Sequence, residues 1–206
     1  MQNAFYAQLS AVGCLEYGSP KTIFLFFEIH VYSMSLVDLD LLVVGAGPHA
    51  LSLLTRLVDD EPDLLTESQR SHAMSKAKHA RPRQQVRRHL KKTFNGVEKL
   101  PRTMVIDNHG EWMAQWAADF KALGIKYLRS HEHMHPCPFD FQSLHVWAVE
   151  QGRDDELHAM NRTDCCNCRR AGYYGPFVVP STQLFLDFCA SLVDRYGLAP
   201  LVSPGT

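Results

Sequence analysis

The chain has 206 residues, 46% of them hydrophobic, which is enough apolar material for the core of one ordinary domain and excludes a chain disordered throughout. A formal net charge of -1 argues against a protein that coats nucleic acid, although 11 of the 21 Lys+Arg residues fall between Arg70 and Arg102 with Glu98 the sole acid among them. Six cysteines make no disulfide framework at this length, and no N-terminal stretch has the order of a secretory signal, so a reducing, cytoplasmic setting is expected.

Residues 1–33 read as an N-terminal extension, because Met34 stands just before the first clear strand run. Their apolar run TIFLFFEIHVY is broken by Glu28 and His30 and falls short of the roughly 20 residues that cross a bilayer, so no membrane segment is expected. From there the apolar run LDLLVV, residues 39–44, predicts a buried parallel strand central to its sheet. GAGPHA follows, and Leu51, Leu53, Leu54, Leu57 and Val58 predict a helix over 48–58. The basic stretch at about 70–102 has few large apolar residues and is expected to be a surface insertion or mobile loop, in which QQVRRHLKK could make a helical turn or two without a core.

Met104, Val105 and Ile106 predict the next strand. Trp112, Trp116, Phe120 and Leu123 share one face of a helix over 111–123 that Gly124 terminates. IKYLRS reads as a short strand, and a helix is expected from an Asp140 N-cap to Gly152. The last helix, 181–196, starts at Ser181 after Pro180 and stops at Gly197. The alternation gives an α/β fold in which helices 48–58, 111–123 and 181–196 flank a small parallel sheet over residues 34–206.

Gly45, Gly47 and Ala50 fit the G-x-G-x-x-G/A fingerprint, with an apolar strand before it and a helix after it. Gly45 permits the tight turn, Gly47 lets a pyrophosphate approach the backbone, and Ala50 allows close helix–strand packing. The amides at the helix N-terminus then face the anion. An acid for the ribose is expected about 20 residues on, where Glu67 is the best placed; a solvated acid near Asp59, Asp60 and Glu61 is the alternative.

VVGAGPHALSL, VIDNHGEWMAQWAADFKALGIKYLRS, HPCPFDFQSLHVWA and YYGPFVVPSTQLFLDFCASLVDRYGL together resemble the flavin-dependent N-hydroxylating monooxygenases, the lysine and ornithine hydroxylases. The similarity is closer to the broader set of FAD/NAD(P)-binding proteins related to them. It implies a Rossmann-like FAD-binding domain, a flavin that NADPH reduces and oxygen reoxidises, and a small amine or amino acid as substrate. Gly45, Gly47 and Ala50, with Pro48 and His49 in the same turn, would hold the FAD pyrophosphate. Trp112 and residues 128–130 match a region beside the flavin, where Arg129 would stabilise anionic reduced flavin. Core packing for Trp112 and a surface ion pair for Arg129 are the alternatives.

No second glycine fingerprint for NADPH is present, and the chain stops before the later strands of such a domain, so the resemblance covers an N-terminal portion. The expected function is an FAD-dependent oxidoreductase of monooxygenase type represented by a truncated chain; the alternative is a non-catalytic flavin-binding or regulatory remnant. No catalytic residue is assigned. Residues 70–102 contain one aromatic, Phe94, so nucleic-acid binding is not expected. His131, His133 and His135 would share one face of a strand, but Pro136 and Pro138 argue for a loop, and Cys165, Cys166 and Cys168 lack paired spacing. No metal is expected at either place.

Overall fold

The computed structural model describes residues 38–63, 81–160 and 177–205, together with two three-residue strands, β1 (Leu9–Ala11) and β2 (Phe27–Ile29), which pair antiparallel. The fold is mixed α/β, with a small parallel sheet and flanking helices. The sheet has three strands, β3 (Leu41–Val44), β4 (Thr103–Asp107) and β7 (Val202–Pro204), in the order β3-β4-β7. Val43 pairs with Val105, and Val105 with Val202.

The apolar run at 39–44 is thus a strand, but β4 and not β3 is central among the described strands. Pairing order is non-local and leaves no mark in a run of leucines and valines. Nor is the run buried on both faces. Leu41 and Val43 pack into the core, whereas Leu42 and Val44 are 51% and 78% exposed.

Helix α1 (Pro48–Val58) buries Leu51, Leu54 and Val58 at i, i+3 and i+7, and turns Leu53 and Leu57 outward. Pro48 stands at its start, where the missing N–H has no helical acceptor to lose. Helix α1 packs against α6 (Thr182–Tyr196), the longest helix among the described residues, whose Leu184, Phe188, Leu192 and Tyr196 are fully buried. Ser181 caps α6 by accepting from the Leu184 amide at 2.9 Å, and Gly197 closes it in the left-handed conformation, φ 62°.

The basic stretch is not a loop in its second half. It forms α2 (Arg83–Leu90) and the single turn α3 (Gly96–Lys99), and α2 packs on α5 (Ser143–Glu150). Two positions three residues apart, Val86 and His89, are enough to bury one face of so short a helix, and both are within 1% of full burial. Acids from elsewhere absorb the charge: Arg87 pairs with Glu150 at 2.8 Å, Lys92 with Glu61 at 2.9 Å, Lys99 with Asp60, and Arg102 with Asp38 and Asp40.

A buried polar triad ties α1, α2 and α6 together. The Tyr196 hydroxyl donates to Asp59 Oδ2 at 2.5 Å, and His89 Nε2 lies 3.0 Å from the same oxygen while its ring stacks on Phe139. Burial works to raise the Asp59 carboxyl, but the contacts from His89 and Tyr196 and the Glu61 amide outweigh it and hold the group below its ordinary range.

Two further expectations shift. IKYLRS is no strand; it makes one bridge, Tyr127 to Ser181, with the Thr182 amide on Lys126 O and the Leu128 amide on Pro180 O. The paired segment enters α6 at Thr182, so extended pairing ends there. The strand that does run beside β6 (Phe177–Pro180) is β5 (Leu157–Met160), antiparallel to it. Asp140 lies two residues before the Gln142 N-cap of α5, accepting from the Gln142 and Arg81 amides at 2.9 Å. The helix expected at 111–123 is α4 (Ala114–Ala122), preceded by Met113 at φ 64°, the one positive-φ residue other than glycine among those described.

Candidate functional site

The glycine turn is where three elements meet. Leaving β3, the Gly45 amide donates to Ile106 O at 2.8 Å and Gly45 takes φ 91°, a conformation that a side chain disfavours. The next carbonyl, of Ala46, accepts from the Met113 amide at 2.8 Å, so the left-handed residue that opens α4 is held against the turn. Gly47 then caps α1 at φ -86° and ψ -174° with no side chain to bond the first amides. A Cβ built on Gly45 or Gly47 meets nothing within 4 Å. There is open room over the positive end of a helix, which is what an anion needs.

The carboxylate beside this turn is Asp107. It ends β4, the parallel neighbour of β3; its Oδ2 accepts from the Ala46 amide at 3.0 Å and its Oδ1 from the His109 amide at 2.9 Å. The Ala46 amide, above all, holds the carboxyl below its ordinary range. Glu67, the expected acid, lies outside the described residues. Asp107 was findable as the polar residue closing the strand MVID, but a count of 20 residues misses it because the segment with α2 and α3 lies between the paired strands.

A cavity of about 780 Å³ adjoins the head of α1. Pro48, His49 and Ser52 line it on one side, Trp116 and Phe185 on another, and Arg129, which is exposed, also contributes. Its size suits a small organic ligand or part of a cofactor. Ala50 is buried in the first turn of α1. Trp112 is not in the cavity lining. Its indole N–H donates to Leu198 O at 3.1 Å and its ring packs on the core.

The histidine segment is a loop, anchored by the Glu132 amide on Val178 O at 2.8 Å. His131 and Glu132 are buried, and the His131 and His133 rings lie 4.1 Å apart. The His133 amide donates to His131 Nδ1 at 3.1 Å, and His135 Nε2 lies 3.1 Å from Phe141 O. Burial, with His131, His135 and His145 around it, pushes the His133 imidazole down to about 3. His133 and His135 both line the cavity. Cys165, Cys166 and Cys168 lie outside the described residues.

No helix among the described residues is long and apolar enough to cross a membrane. No family model, curated protein or solved structure matches this chain.

Proposed function

We propose that the chain binds FAD at the glycine turn and is the flavin-binding part of an NAD(P)H-using oxidoreductase of the N-hydroxylating monooxygenase type. The observation that carries the reading is the juxtaposition, in one parallel β3-α1-β4 unit, of a glycine turn with open room at a helix N-terminus and an acid, Asp107, at the end of the neighbouring strand. This juxtaposition supports a Rossmann-like dinucleotide site, in which the pyrophosphate would meet the helix amides and the acid a ribose hydroxyl.

The residues fit the group. Gly45 and Gly47 leave the space, His49 and Ala50 offer first-turn amides, and Asp107 keeps lone pairs beyond the two amides it already accepts. The cavity wall of Trp116, Phe120 and Phe185 is apolar enough to shed water, while Arg129 brings a cation to the same space. Bound flavin would supply two-electron chemistry with a nicotinamide donor and oxygen; NADPH and an amine or amino-acid substrate come into the proposal with the sequence resemblance.

The alternative reading is a flavin-binding module without turnover. Gel filtration of the chain after incubation with FAD tests binding, and anaerobic NADPH addition separates the readings. Flavin that co-elutes and bleaches supports the oxidoreductase; flavin that co-elutes and stays oxidised supports the module. Absence of co-eluting flavin together with no saturable titration overturns both.

A further inference from the structure

Glu132 is 6% exposed, and the groups facing its carboxylate are imidazoles: His133 Nε2 lies 3.7 Å from Oε1 and His145 Nδ1 lies 2.9 Å from Oε2. Among the described residues no lysine or arginine pairs with it. One potential ligand atom from each of His131, Glu132 and His133 falls within 4.8 Å of the others. The His133 Nδ1 is buried with no hydrogen-bond partner among the described residues, and the same ring lines the cavity.

Two imidazole nitrogens and one carboxylate oxygen, with the His133 ring at the cavity wall, form the donor set of open zinc sites, which keep a fourth position for water or substrate. A ligating carboxylate held by a further hydrogen bond, as Glu132 is by His145, has the outer support such sites use. We propose that His131, Glu132 and His133 form a binding site for a divalent first-row transition ion of the zinc type, with His145 positioning Glu132 and the open coordination position facing the cavity.

The chemistry of His131 fits with one exchange. Its Nδ1 now accepts from the His133 amide. Coordination through Nδ1 uses that lone pair, and coordination through Nε2 moves the ring proton to Nδ1, so either way the amide bond is traded for the bond to the ion. The site does not depend on the flavin reading, since its ligands lie outside the glycine turn.

The test uses the full chain and Zn²⁺ in competition with a chromophoric chelator, with Co²⁺ as the spectroscopic probe. Cys165, Cys166 and Cys168 are competing thiolate ligands, so the measurement is repeated after the triple change Cys165→Ser, Cys166→Ser and Cys168→Ser. The expected result is one equivalent of Zn²⁺ bound by both chains and a Co²⁺ adduct of the triple variant with visible d–d bands and no thiolate charge transfer. In that background His133→Ala and Glu132→Gln abolish the one-equivalent phase, and His145→Ala weakens it roughly 10–100-fold with an unchanged circular dichroism spectrum. Failure of the wild-type chain to take up Zn²⁺ stoichiometrically overturns the proposal, as does loss of uptake in the triple-serine chain or retention within a few-fold in both His133→Ala and Glu132→Gln. Should the loop variants not fold, the Co²⁺ spectrum of the triple-serine chain decides: nitrogen- and oxygen-ligated d–d bands support the site, and their absence refutes it.

Discussion

Gly45 and Gly47 are chemically identical and structurally opposite, and substituting each separates folding from binding. At Gly47 the backbone, φ -86° and ψ -174°, lies in a region open to any L-residue, and a Cβ there meets nothing within 4 Å. Gly47→Val gives up a tolerable N-cap for a poor one, at about 1 kcal/mol, and recovers about 0.4–1 kcal/mol by restricting the unfolded chain. The net change is within about 0.5 kcal/mol, a shift in Tm of no more than roughly 2 °C for a chain of this length. In the complex the valine occupies the space over the first-turn amides. Loss of one charge-assisted amide bond, about 1.5–3 kcal/mol, with about 1–3 kcal/mol of overpacking, weakens FAD binding by roughly 10² to 10⁴-fold. Gly45→Ala does the reverse: φ 91° strains the fold by about 1–2 kcal/mol and lowers Tm by roughly 2–8 °C. Differential scanning fluorimetry and flavin fluorescence titration read the two effects. A Gly47→Val chain that binds FAD within a few-fold of wild type refutes the turn as the pyrophosphate site.

Tyr196→Phe removes a buried hydrogen bond to the Asp59 carboxylate, so a loss of about 1.5–3 kcal/mol and a fall in Tm of roughly 3–12 °C is expected by thermal melt; no change would mean the triad is not a tie. Asp59 is held below its ordinary pKa, so its stabilisation is complete above the unfolded value of about 3.9 and is lost as pH falls through the lower folded value. The urea midpoints of wild type and Asp59→Asn should therefore differ at pH 7 and converge under strong acid; a gap that persists there contradicts the linkage. Val86→Ala should destabilise by about 1.5–3 kcal/mol, whereas Arg88→Gln, at an exposed position on the same helix, should be neutral; equal, small effects would return this stretch to a surface loop.

The legible parts of the chain are those whose signals are local. An apolar run locates β3, a glycine turn and Pro48 mark α1 to the residue, and Ser181 and Gly197 bracket α6. What stays hidden depends on partners far along the chain. The place of β4 between β3 and β7 is a pairing fact, and IKYLRS lacks a ladder because its neighbour turns into α6 after one bridge. Basic composition obscured the packing of α2, because Glu150, which pairs with its Arg87, lies outside the stretch. Asp107 is near the glycine turn in space and far in sequence. The histidine segment shows both sides of this: Pro136 and Pro138 rightly mark a loop, yet a turn at Glu132 and His133 gathers groups that a period of two could not have predicted.

A dinucleotide whose phosphates sit on the turn at residues 45–50 must perturb the amides there. A titration of the isotope-labelled chain with FAD, followed by amide chemical shifts, tests this placement most directly. Saturable one-to-one binding is expected, with the largest shifts at Gly45, Ala46, Gly47, His49 and Ala50 and a smaller one at Asp107. Saturable binding whose shifts lie elsewhere, or no saturation at all, contradicts it.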